Sequence, residues 1–285
     1  MKAEIERYLS TGDSDPRMTN WPGNNVLERL TRGEERLKAA LLAEIRRRAA
    51  RVPIPSPESM PGDLVAFARA KLEPMVRGLF PRVEQERVLG LLEESVTFLT
   101  PETIEPLIRG PGFLGTAWAV ANIYLVGIGA KPLGDEMQGV VGMSEETTCY
   151  VSLAYFADDY PFSDFVVHEA AHIFHNAKRR TAGLPETRRR QWLLPIEFEK
   201  RETFAYACEA YSRICELGKS PVDRRRLLLE HEQGPMPPDG RVNAEEYLDI
   251  LRDAVAARNG WKRILQRCSP PRSRENKRGG DVYAA

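Results

Sequence analysis

Apolar residues return at helical spacing over long stretches of this chain. Val26, Leu27, Leu30, Leu37, Leu41, Leu42 and Ile45 predict a helix from Asn25 to Arg51. The turn-rich residues 10–24 before it read as loop, and the four prolines between Val52 and Pro61 as a linker. Further helices are expected from Gly62 to Leu79 and from Pro81 to Leu99. A short one then opens at Pro101 with Thr100 as its cap. Residues 1–110 therefore read as a helical N-terminal region.

Residues 112–130 fit either a buried helix or a strand by pattern, and their length and alanines favour helix. Thr147 to Phe156 are β-branched and aromatic and predict a strand. Ser163 or Asp164 can then cap a helix running through His175, with Lys178, Arg179 and Arg180 suited to its C-terminal dipole. More helices are expected from about Pro195 to Gly218, from Pro221 with Ser220 as cap, and from the Asn243–Glu246 capping pair to about Arg267. The polar residues 268–285 read as a disordered tail. The expected class is mainly α with a small β element.

Composition changes this picture in two ways. The 285 residues carry 41 basic and 41 acidic side chains, so the net charge is zero. Nucleic acid is then not the default partner, and the arginine runs 46–48, 188–190 and 224–226 read as solvated helix faces. No apolar run reaches the roughly 18 residues of a membrane span, and MKAEIERYLS shows no signal-peptide core. Four cysteines without a CxxC pair suit reduced thiols, so a cytoplasmic location is expected.

The second change concerns histidine. The chain has four, and three of them lie between positions 168 and 175. They belong to the segment FVVHEAAHIFHN, which contains His168-Glu169-Ala170-Ala171-His172. On a helix, residues four apart share a face, so both imidazoles can reach one metal ion. Glu169 then stands beside that ion, placed to act as general base on its water and to hand the proton to a leaving amine. Zinc suits such a site because it takes neutral imidazole and keeps one position open. His175 extends the face and could contact substrate or support a ligand. A third ligand is required, and Glu197, Glu199, Glu202 and Glu209 follow in the next helix. Glu202 is the choice, because Ala205 one turn later leaves room for the metal helix. Glu209 is then placed to hold a ligand imidazole from behind. Cys149 and Cys208 are weaker ligand candidates. Tyr206 and Tyr211 could stabilise an oxyanion. His231, alone in LLLEHEQG, reads as surface.

H-E-A-A-H followed thirty residues after His172 by E-T-F-A-Y-A resembles the glutamate-zinc peptidases, and loosely the small ImmA/IrrE-like ones. The resemblance covers about residues 145–215. It implies a zincin-like catalytic region, here 111–267, with Zn2+ held by His168, His172 and Glu202 and with Glu169 as base. It also implies a strand before the active helix that aligns an extended peptide by edge pairing, a role residues 149–156 could fill. The metzincin pattern is excluded, because positions 175 and 178 are His and Lys where it needs Gly and His. A peptide or protein is the expected substrate. The alternatives are a non-catalytic regulatory module that retains a metal site, or another metal-dependent amide hydrolase such as a deformylase.

Overall fold

The structure, a computed structural model, describes residues 1–52, 60–110, 112–134, 137, 140–188 and 190–271. Most of the proline-rich linker and of the C-terminal tail falls outside the described residues. Among those described, eleven helices surround one small sheet: α1 (Lys2–Thr11), α2 (Val26–Ala49), α3 (Leu64–Leu79), α4 (Arg82–Ser95), α5 (Ile104–Arg109), α6 (Leu114–Gly127), α7 (Phe165–Asn176), α8 (Arg201–Leu217), α9 (Pro221–Glu232), α10 (Ala244–Ala256) and α11 (Gly260–Cys268). The strands are β1 (Val96–Leu99), β2 (Gly142–Glu145) and β3 (Thr148–Ser152), in the order β1-β3-β2. No described helix is long and apolar enough to cross a membrane. The protein is thus mainly helical with a small mixed sheet.

Side-chain caps start the helices where polar residues permit. Asn25, Asp63, Asp164, Ser220 and Asn243 each accept a hydrogen bond from a first-turn backbone N–H. Several elements depart from the sequence expectation. The helix expected to reach Leu99 stops at Ser95. Val96-Thr97-Phe98-Leu99 instead pairs in parallel with residues 149–152, where β-branched and aromatic side chains pack well. Thr100 does accept from the N–H groups of Glu102 and Thr103, but as a turn, and regular α5 begins only at Ile104. The strand expected through Phe156 ends at Ser152, whose hydroxyl caps a 3-10 turn over Leu153–Ala157. The helix expected from Pro195 begins at Arg201, after a 3-10 turn at Phe198–Lys200. The last helix is two: the chain breaks after Ala256, and Asn259 caps α11 by accepting from the Lys262 N–H at 3.1 Å. The break lets α11 fold back on α3, where Gly78 faces the Trp261 side chain so closely that a Cβ would collide with it. At the N-terminus, α1 forms where no helix was assigned, and buried Tyr8 anchors it by donating to the Leu114 carbonyl at 2.8 Å.

Two apolar cores meet at the sheet. One gathers α1, α2, α5 and α6 around Leu37, Leu41, Trp118 and Ile123. The other gathers α3, α4 and α7 to α11 around Leu72, Val88, Phe174 and Phe204. Both draw on residues from either side of position 110. Along β3 the sides alternate: Cys149 and Val151 enter the second core, and Tyr150 packs on the first. β3 is the central strand, paired on both sides, so it cannot align a peptide by edge pairing as expected. Its antiparallel neighbour β2 stands at the sheet's margin.

Candidate metal centre

Helix α7 carries the histidines through the second core. Val166, Val167, Ala170, Ala171, Ile173 and Phe174 are fully buried on its packed sides. Such an environment tolerates His168, Glu169 and His172 only if each finds a partner. The two imidazoles turn the same way, and their Nε2 atoms are 3.3 Å apart. From α8, the Oε2 atom of Glu202 lies 3.6 Å from Nε2 of His172 and 3.9 Å from Nε2 of His168. This buried group could hold a metal ion, since one donor atom from each residue lies within 4.8 Å of the others. Donors bonded at about 2.0–2.2 Å to one ion at tetrahedral angles stand about 3.3–3.6 Å apart; two of the three separations fall in that range and the third, 3.9 Å, lies just above it.

The remaining nitrogens are held from behind. Nδ1 of His168 lies 3.0 Å from Oε2 of Glu209, and Oε1 of the same carboxylate accepts from the Asp164 N–H at 2.8 Å. Glu209 thus braces His168 and the start of its helix together. Asp164 is itself fixed, by its cap, by the Tyr155 hydroxyl at 3.2 Å and by the Lys71 ammonium at 3.2 Å. His172 is braced differently. Its Nδ1 lies 3.0 Å from Nε2 of His175, whose Nδ1 lies 2.9 Å from Oδ1 of Asn176. The amide oxygen can only accept, which makes His175 the donor there and His172 the donor to His175. Nε2 of His172 is then left with its lone pair turned inward. Arg241 holds Oε1 of Glu202 at 3.1 Å and so leaves Oε2 to the group.

Glu169 lies one residue round the helix, buried against β2. Its side chain bonds to Ser144, and a Cβ at Gly142 would press on its Cγ at 3.2 Å. Burial raises the Glu169 pKa above the usual carboxylate range. Tyr206 packs edge-on to the His168 ring at 4.4 Å between centroids, and burial together with the nearby carboxylates lifts its phenol to about 12. A cavity of 590 Å³ opens beside the group, bordered by Ser144, His172, His175, Glu202, Arg201 and Arg241.

Of the sequence candidates, the structure brings His168, His172, Glu169, Glu202, His175, Glu209 and Tyr206 to one place. Tyr211 instead packs on Trp261, and Cys149 and Cys208 are buried in the core outside the three-donor group. The basic residues after α7 do not serve its last turn: the helix ends at Asn176, and Arg179 turns inward to Glu84. His231 is also misread as surface. It is buried, with its Nδ1 3.2 Å from the Tyr160 hydroxyl and its Nε2 2.7 Å from the Tyr247 hydroxyl. Gly142, Ser144, Asn176 and Arg241 were missed. Only Asn176, adjacent to the histidine run, carried a local signal.

The histidines make metal-free stability pH-dependent. Burial, followed by neighbouring positive charge, holds His172 down to about 2 and His175 to about 4. Burial also lowers His231. His172 and His175 stay neutral in the fold and His231 takes up its proton later than a free imidazole, whereas all three are protonated in the unfolded chain below about pH 6.5. His168 behaves oppositely. Burial opposes its charge, but the Glu209 carboxylate prevails and lifts it to about 9. Its contribution is complete below pH 6.5 and is lost as pH rises through 9. The urea midpoint of metal-free protein is therefore expected to fall steadily from pH 7 to pH 5, and less steeply in His231→Gln. A flat profile over that range would contradict the neutral assignments.

No protein-family model matches this chain, and no curated protein and no solved structure matches it.

Proposed function

We propose that this protein is a zinc-dependent peptidase with a zincin-like core. The observation that carries the reading is the convergence of His168, His172 and Glu202 from α7 and α8, with Glu169 buried beside them against β2. His168, His172 and Glu202 would hold the ion, which supplies Lewis acidity toward water and toward a peptide carbonyl. Glu169 takes the proton of the attacking water on its carboxylate and returns it to the leaving nitrogen. Burial raises its pKa, which is the direction that helps a carboxylate hold the proton it takes. The margin of β2, with Ser144 facing the cleft, offers backbone groups along which an extended chain can lie. Tyr206 stands close enough to steady charge that develops on the carbonyl oxygen.

The first test is hydrolysis of an unfolded protein substrate by purified chain, lost on chelation and regained with zinc. Persistent full activity without metal would defeat the proposal, as would zinc-loaded protein that cleaves nothing. The ligand roles are separable by affinity. Glu202→Gln removes a ligand, whereas Glu209→Gln removes a brace and is expected to weaken zinc binding roughly 10- to 100-fold. A larger loss for Glu209→Gln than for Glu202→Gln, by competition with a chromogenic chelator, would reverse the assignment.

A further inference from the structure

Arg201 opens α8 one residue before Glu202 and borders the same cavity as His172 and His175. The other cavity arginine, Arg241, is fully engaged by Asp239 at 2.6 Å and Glu202 at 3.1 Å. Arg201 is not. Among the described residues no carboxylate pairs with its guanidinium, Glu199 on the same cavity included, and its Nε is buried without a hydrogen-bond partner. A buried donor left unpaired is uncommon, and a cavity guanidinium without a protein anion can receive one from outside at its terminal N–H groups. The guanidinium carbon stands 4.8 Å from the ring centre of Phe198, which is 76% exposed. Stacking of that kind occupies the face of the planar cation and leaves its edge N–H groups in the plane. A carboxylate matches that edge, taking two parallel hydrogen bonds. Glu202, the next residue on α8 and on the same cavity, is already divided between Arg241 and the metal group.

We propose that Arg201 receives a carboxylate of the substrate. That carboxylate is either the free C-terminus of a short peptide or an Asp or Glu side chain beside the cleaved bond. The proposal rests on the peptidase reading for its substrate class, and its test has an arm that does not need cleavage.

In the first arm, zinc-loaded full-length chain acts on matched quenched peptides. One pair differs by a free or amidated C-terminus, and the others by Glu or Gln at each position flanking the cleaved bond. The pair that responds identifies the source of the carboxylate. One carboxylate form is expected to be preferred roughly 10- to 100-fold in kcat/KM, mostly through KM. Arg201→Gln draws that ratio to near one, and Arg201→Lys restores part of it. Equal treatment of charged and neutral peptides by the unaltered protein overturns the proposal. So does a preference that survives Arg201→Gln.

In the second arm, the same pairs are titrated by calorimetry onto zinc-loaded Glu169→Gln protein. Charge-selective binding that Arg201→Gln abolishes sustains the carboxylate site even if the peptidase reading fails. Absence of charge-selective binding overturns it even if the peptidase reading holds.

Discussion

Glu169→Gln is expected to retain zinc at full occupancy while losing about 10²- to 10⁴-fold in kcat. The carboxylate is not among the converging donors, so its amide should not disturb the ion. The amide is nearly the same size and fits the same slot against Gly142 and Ser144, so the helix has no reason to shift. What it lacks is the ability to take a proton. Metal content and single-turnover rates on one peptide separate the two effects. A variant with full zinc and undiminished turnover would remove Glu169 from the mechanism. One that lost zinc would place it in the binding set instead.

The second large effect is on stability. Arg179 is 2% exposed, and its guanidinium meets Glu84 of α4 at 2.6 Å while its Nε donates to the Pro185 carbonyl at 2.8 Å. Arg179→Met leaves Glu84 buried with an uncompensated charge, for an expected loss of about 3 kcal/mol. That is the low end for a broken buried pair, because Arg190 remains 3.8 Å from the same carboxylate oxygen. Adding Glu84→Leu should recover most of the loss, since the pair is exchanged for apolar contact. Urea melts of both single variants and the double variant give the coupling. An Arg179→Met midpoint equal to that of the unaltered protein would sink this account. The effect matters for the site because Arg179 fixes the chain immediately after α7.

How far the sequence reaches differs by element. The i, i+4 spacing of His168 and His172 is local, so their shared direction follows from helix geometry alone. Glu202 and Glu209 were separable in advance only through the small Ala205 that lets α7 approach. In the structure Glu202 turns between the imidazoles and Glu209 behind one of them. Val96 to Leu99 continue the pattern of α4, and four residues are too short a β-branched and aromatic run to mark a strand by themselves. Their partner, residues 149–152, lies about fifty positions away and decides the matter by pairing. His231 was hidden for the same reason: Tyr160 and Tyr247 bury it from elements remote in sequence. Arg201 and Arg241 lie among many charged residues. Their positions at the cleft depend on how α8 and the chain before α10 pack, which periodicity does not encode.

The alternation along β3 makes the sheet a party wall between the two cores. A fragment starting after residue 110 would lack β1 altogether. It would also strip α1, α2 and α5 from the core on which Tyr150 and Met143 pack, leaving α6 there without the helices it packs on. The hairpin that presses Gly142 and Ser144 against Glu169 would then lose its parallel neighbour and keep on that side only α6, itself stripped of its support. The N-terminal helices are in that sense the outer buttress of the cleft, although none of their side chains borders it.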